Sequence, residues 1–329
     1  MAQTTLFRFI LSRLLQMLVV LLGTVTVLFV VLYLLVPGDT ALAILGSKAT
    51  PQNLENLRHQ MGLDRPVMEQ FLQYLWHLAH FDFGQSYVQG RSVSAIIRDY
   101  LPATAYLAGA ALLIEAAVGI GWGMLMSLKR SRRLGAVSAL GSALLLAMPV
   151  FLLGLLLQYV FGSQLRLLPL SGLGGYNPLN VLLPAVSLAA AQAVIVASVM
   201  RASLQDEMRR PYMLAARARG LTRRQALMRH GARNAIGPVA TLLAIDLGTL
   251  LGGAMVTEIV FSWPGTGRMV YFAAEQRDLP LIVGSVIVLV TIFVAVNSAI
   301  DILYGIIDPT VRLARLRGGG EAIAGESLG

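Results

Sequence analysis

The chain contains no cysteine among its 329 residues. That excludes disulfide bonds and thiolate metal ligands. Charge is also scarce: 13% of residues are Asp, Glu, Lys or Arg, against roughly 25% in a soluble domain. Acids are the rarer sign, 17 against 26 basic residues, which leaves a formal charge of +9 and a pI near 10.2. No GxxxxGK[ST] phosphate loop, HExxH or GxSxG occurs. The chain therefore lacks the residues of an ATPase, a zinc hydrolase or a serine hydrolase. Nor does any nucleophile–base or metal constellation support a membrane-embedded enzyme.

What is abundant is apolar. Hydrophobic residues make up 56% of the chain and the mean hydropathy is +0.70, so it must meet an apolar solvent. Stretches of about 20 apolar residues, long enough to span a bilayer, fall at Leu14–Val36, Ala103–Leu128, Leu134–Phe161, Val181–Met200, Ala235–Val260 and Leu281–Tyr304. The expected fold is an all-α polytopic membrane protein with six transmembrane helices. The first apolar run, "LLQMLVVLLGTVTVLFVVLYLLV", is longer than the 7–15 residues of a signal-peptide core and has no small-residue cleavage site after it. It reads as a true span.

Six spans put both ends of the chain on one side. With that side cytoplasmic, eighteen of the 26 basic residues lie inside: Arg8 and Arg13, four in Lys129–Arg133, nine in Arg201–Arg233 and three after Pro309. The outside holds eight, five of them in residues 37–102, where six acids offset them. This bias orients the protein N-in, C-in. It also accounts for the net charge, so no nucleic-acid partner is needed. The expected organisation is a cytoplasmic N-terminus and first span (1–36), an extracytoplasmic helical loop (37–102), five spans carrying a cytoplasmic loop at 201–234 (103–308), and a cytoplasmic tail (309–329).

A loop as long as 37–102 should carry structure of its own. "TPQNLENLRHQMG" offers Thr50 as N-cap, Pro51 at the first helical position and Gly62 as terminator. A second helix follows Asp64–Pro66, with Leu72, Leu75, Trp76 and Ala79 at helical spacing. "RSVSAIIRDYLP" reads as a third, ending at Pro102. This platform is either a lid over the bundle or a docking surface for an extracytoplasmic partner. His77, His80 and Asp82 lie close in sequence, but two histidines on an apolar helix make a poor metal site, and no metal is assigned.

The most patterned stretch is "YMLAARARGLTRRQALMRHGARNAIGP", Tyr212–Pro238, with six arginines and no acid. It reads as two short helices on the cytoplasmic face. The first runs from about Asp206 and stops at Gly220, suited to the left-handed position after a helix end. The second opens at Thr222, where "TRRQ" has the form of a capping box. Ala215, Ala216 and Ala218 give the first helix a smooth surface that another backbone could approach, with Tyr212 as an aromatic anchor beside it. Arginines on the other faces suit anionic groups. The blander reading is a basic loop resting on lipid headgroups.

Polar residues inside the spans are the remaining candidates. Glu115 and Asp246 should not face lipid, because a buried ionised group costs at least about 2.5 kcal/mol even on the lenient insertion scale. They either line a translocation path, together with Gln158 and Gln192, or form protonated or paired structural contacts. Glu258, Pro264 and Gly265, in "EIVFSWPGTG", mark an outer gate or a loop anchor at a tight turn. Asn297 and Asp301 stand one helical turn apart and suggest a polar helix–helix contact.

The Tyr212–Pro238 segment resembles the "EAA…G" loop of the permease subunits of binding-protein-dependent ATP-driven importers, above all the dipeptide/oligopeptide/nickel branch. The resemblance continues in "LVPGD", "MGLDRP", "FDFGQS", "YLPATAYLA", "RHGARNAIGP", "TEIVFSWPGTGRM", "RDLPLIVG" and "NSAIDILYGIIDPTVR", in that order along nearly the whole chain. It implies a non-catalytic permease subunit of the bacterial inner membrane, importing peptides. It also implies a second homologous permease, two cytoplasmic ATPase subunits and an extracytoplasmic substrate-binding protein. No cofactor belongs to this chain itself; ATP and Mg would be bound by the ATPases. The loop would be the coupling helix, with Arg209, Arg210, Tyr212, Ala215, Ala216, Arg217 and Gly220 as its contact residues. Leu214 stands where the family has the glutamate that names the loop, which puts any salt bridge there in doubt. The rival class is a secondary transporter acting alone, with Glu115 and Asp246 as proton or cation sites. That class calls for an inverted repeat, and no convincing repeat is visible.

Overall fold

The computed structural model describes residues 2–31, 50–61, 64–128 and 132–307. The end of the first expected span, the LVPGD stretch, Gly62 and the tail after 308 lie outside the described residues. The described residues are helical apart from turns, loops and one isolated bridge between Gln85 and Ser92. Among the described residues five helices are long and apolar enough to cross a membrane, and six spans result if one bent pair is counted as a span. The chain divides into two compact units, residues 1–99 with 270–329, and residues 100–269.

The first unit contains α1 (Ala2–Phe29), α2 (Pro51–Met61), α3 (Val67–Ala79) and α13 (Leu279–Ile307). Thr50 Oγ1 opens α2 by accepting the Asn53 amide at 3.2 Å, as the sequence predicts. Val25 of α1 packs against Val283 and Ile287 of α13, with Phe71 and Leu75 of α3 closing over them. The start of α13 is pinned by Asp278, which is buried. Asp278 accepts the Ser86 hydroxyl and, at 3.2 Å, the Tyr87 amide. Gly284 lets α13 pass close by, since a Cβ there would lie 2.7 Å from Val93 Cγ1.

Residues 93–128 form one helix, α4 (Val93–Leu128), with Pro102 inside it. This corrects the expectation of a short outer helix ending at Pro102. Proline's fixed φ is helical and its ring removes a single hydrogen bond. Ile96 on one side of it and Ala103 and Leu107 on the other are all buried, and that packing outweighs the lost bond.

The second unit holds the rest of α4 together with α5 (Arg132–Ala147), α6 (Val150–Leu157), α7 (Pro178–Glu207), α8 (Pro211–Ala218), α9 (Arg223–Ala226), α10 (Ala232–Gly253) and α11 (Met255–Val260), and it includes the start of α12 (Thr266–Glu275). Two π-helical turns, Gln158–Gln164 and Leu227–Gly231, extend α6 and lead into α10. The third expected span is not continuous: α5 and the α6 segment meet at a bend of 106°. Pro149 stands at the break in an extended conformation (φ −58°, ψ 140°) and has no amide with which to continue the helix. The fifth span likewise stops at Gly253, and Ala254 leads into α11. Two adjacent glycines, the weakest helix formers after proline, precede that break.

Two close contacts hold this unit together. Gly119 and Gly123, one turn apart on α4, let α7 approach. A Cβ at Gly119 would fall 2.5 Å from Val196 Cγ1, and one at Gly123 would fall 2.6 Å from the Ala197 carbonyl. The same stretch of α7 also meets the π-turn and α10, with Val196, Met200 and Leu204 clustered with Leu227, Ala235 and Val239.

Candidate functional site

The arginine-rich segment folds as a compact knob joining α7 to α10. It differs from the sequence reading at its start, since Asp206 and Glu207 belong to α7 and α8 opens only at Pro211. Arg210, forced out of helical geometry by the proline after it, is extended at φ −66°, ψ 144°. At the far end Gly220 has φ +92°, the left-handed geometry predicted for it. The Arg219 and Gly220 amides donate back to the carbonyls of Ala215 and Arg217 at 3.1 and 3.0 Å. Thr222 then opens α9 with the predicted capping box. Its Oγ1 accepts the Gln225 amide at 3.3 Å, and its own amide donates to Gln225 Oε1 at 2.9 Å.

The knob has two faces. Inward, Met213 is fully buried. Tyr212, expected beside the alanine surface, is 38% exposed and turns its hydroxyl toward its own chain. Its hydroxyl donates to Glu207 and accepts from Asn234 Nδ2 at 2.9 Å. Partial desolvation, and then the bond to Glu207, raise the phenol's pKa above its usual value, so it remains a donor. Glu207 and Asn234 carry no signal in the sequence, because no periodicity links residues five before and 22 after Tyr212. Outward, Leu214 is 56% exposed, and Ala215, Arg217, Ala218, Arg209 and Arg210 are exposed around it. Ala216 is half-buried. A hollow of about 440 Å³ beside Gly220 is lined by Arg219, Leu221, Gln225, Met228 and Arg229. Small residues, one exposed leucine and a ring of guanidinium groups can seat a partner backbone and pair with its carboxylates.

Within the spans, Glu115 of α4 and Asp246 of α10 are buried at 0% and 5% exposure. Gln192 of α7 donates to Asp246 Oδ1 at 2.7 Å. Asp246 is close enough to Glu115 to act on it electrostatically, so the structure brings three of the four path candidates together. The cluster is closed off by the unit's own helices, and lining a path would require α4, α7 and α10 to part. The fourth candidate, Gln158, stands apart and donates to the carbonyls of Leu170 (2.8 Å) and Val260 (3.2 Å).

The outer candidates form a buried knot. Glu258 is fully buried and accepts the Thr104 hydroxyl at 2.7 Å and the Arg268 amide at 2.8 Å. A Cβ on Gly265 would collide with its carboxylate at 2.1 Å. Pro264 is half-buried in the turn, and Trp263 beside it donates Nε1–H to the Ala103 carbonyl at 2.9 Å. This geometry fits the loop-anchor reading. Thr104 and Trp263 escape a sequence reading, since their partners lie about 150 residues away.

Elsewhere, His77 Nδ1 lies 3.1 Å from Asp82 Oδ2, whereas His80 Nδ1 lies 2.8 Å from the Trp76 carbonyl. Among the described residues no group of three His, Cys, Asp or Glu gathers in metal-binding geometry. Asn297 donates to the Phe293 carbonyl of its own helix at 2.8 Å, and the Asp301 side chain is outside the described residues.

Residues 119–313 match the family described as binding-protein-dependent transport system inner membrane component. Residues 6–108 match the family described as the N-terminal part of the membrane component of binding-protein-dependent transport systems. The chain is 35% identical over 307 residues to the glutathione transport system permease protein GsiC of Salmonella paratyphi A, covering 92% of this chain and 98% of that protein. The Salmonella typhimurium protein of the same name shows the same identity and coverage. The Escherichia coli (strain K12) protein is 35% identical over 298 residues, covering 89% of this chain and 97% of its own length.

Proposed function

We propose a role from the premise that this chain belongs to the family of binding-protein-dependent transport system inner membrane components, and so is a multi-pass permease subunit of an ATP-driven importer. We infer that its cargo is peptide-like: a dipeptide, an oligopeptide or a small thiol peptide such as glutathione. Support comes from relatives, matched along nearly their whole length, that are named for glutathione transport.

The chain supplies one half of a translocation path, and a second, homologous permease supplies the other. Two cytoplasmic ATPases bind ATP and Mg and seat α8, while a binding protein delivers cargo at the outer face. The termini and the knob lie in the cytoplasm, the side favoured by the basic residues. ATP binding draws the ATPases together and displaces α8, which shifts α7 and α10 between inward- and outward-facing arrangements. The shift is a two-state population change driven by partner contacts, and no bond of the cargo is broken. The observation that carries this reading is the knob itself, an exposed surface of small residues and arginines carried between two spanning helices.

The test is uptake in proteoliposomes containing the complex that co-purifies with this chain. ATP-dependent accumulation of labelled glutathione or dialanine, stimulated by the cognate binding protein, is expected. Uptake by the chain alone on a proton gradient would overturn the proposal.

A further inference from the structure

Consecutive side chains of α8 reach toward the same two spans. The Tyr212 hydroxyl joins Glu207, in the last turn of α7, to Asn234, in the first turn of α10. The adjacent Met213 is fully buried at Gly231, where a Cβ would lie 3.4 Å from Met213 Cε and 3.9 Å from Leu204 Cδ2. Arg210 Nε stands 3.6 Å from the other Glu207 oxygen, so this carboxylate is held from both sides of the turn. Beneath these contacts α7 packs on α10 through Leu204, Ala235 and Val239.

The two contacts constrain different motions. Met213 holds one face of α8 down, but apolar burial by itself is non-directional. Hydrogen bonds require alignment, and the Tyr212 hydroxyl, donating to a carboxylate and accepting from an amide, adds a directional constraint at the tip of that side chain. We propose that Tyr212 is a positioning residue which, by clasping Glu207 to Asn234, locks the orientation of α8 so that a push on it moves α7 and α10 as one body. Of the seven contact residues expected from sequence, Arg209, Ala215, Arg217 and Gly220 are exposed, Ala216 is half-buried, and Tyr212 and Arg210, though exposed, also engage Glu207 of their own subunit.

This inference rests on α8 being the ATPase contact, and its test separates the two. The whole complex is purified with Tyr212→Phe, with Asn234→Ala and with both, and is reconstituted in proteoliposomes. Spin labels at A218C and G237C report the spread of distances between α8 and α10 with and without trapped nucleotide. The expected result is that the ATPases still co-purify with Tyr212→Phe, the distance distribution broadens, and uptake of labelled dialanine or glutathione per ATP hydrolysed falls. The fall should be on the order of fivefold, the weight of one hydrogen bond. Asn234→Ala should behave alike, and the double variant should be no worse than either, as for residues in one network. An unchanged distribution and unchanged uptake per ATP in Tyr212→Phe would overturn the clasp, as would loss of the ATPases from that variant, which would place the ring against the partner. A wild-type complex without ATPases, or without ATP-dependent uptake, would overturn the proposed function and the clasp with it.

Discussion

The Thr104 hydroxyl donates to Glu258 at 2.7 Å while accepting the Thr266 amide at 2.8 Å, tying α4 to α11 and to the first residue of α12. Replacing Glu258 with leucine would remove the carboxylate that accepts the part-buried Arg268 amide at 2.8 Å and leave the Thr104 hydroxyl only Thr266 Oγ1, 3.0 Å away. A buried group that loses its acceptor costs about 1–3 kcal/mol. Glu258→Leu should therefore lower the melting temperature of the detergent-solubilised protein well below that of Glu258→Gln, which keeps a side-chain oxygen as acceptor. Equal melting of the two variants would show that the acceptor carries little weight.

The glycines of α4 make a sharper comparison. Gly119→Ala places a methyl 2.5 Å from Val196, whereas a Cβ at Gly121, two residues along, meets nothing within 4 Å. Overpacking of this kind costs about 1–3 kcal/mol, and alanine gains about 1 kcal/mol over glycine in a helix interior. Gly119→Ala should thus destabilise the protein while Gly121→Ala leaves it equal or more stable in the same thermal assay.

At Asp246, an asparagine keeps a carbonyl oxygen for Gln192 and removes a group that is costly to bury. Asp246→Asn should melt within about 1 kcal/mol of wild type, whereas Asp246→Leu strands the Gln192 amide at a cost of about 1–3 kcal/mol. Because the cluster is closed in this conformation, the uptake ratio of lysine-containing to neutral dipeptides should be the same in Asp246→Asn as in wild type. A selective loss of cationic cargo would instead place the carboxylate on the path.

The orientation is open to protease mapping. Trypsin added to intact spheroplasts should leave Arg217–Arg224 uncut, and the same enzyme added to inverted vesicles should cleave there, since these arginines are exposed apart from the half-buried Arg223. Cleavage from the outside would reverse the topology.

Features that rest on neighbours in the chain are legible in the sequence. The apolar runs, the Thr50 and Thr222 caps and the left-handed Gly220 each depend on residues within one span or one turn. The prolines, although equally local, are ambiguous. Pro102 sits inside a continuous helix, while Pro149 marks a 106° bend. Both rings impose the same restriction on the backbone, and what differs is the packing on either side.

By itself, then, the sequence determined that this is a helical membrane protein and where its arginine-rich knob lies, because hydropathy and capping act over one span or one turn. Only the tertiary structure decided which polar residues meet. Glu258 and Thr104 lie 154 positions apart, and Tyr212 and Asn234 lie 22 apart. Whether such groups are partners or strangers depends on how helices approach in space, a property that no short-range pattern encodes.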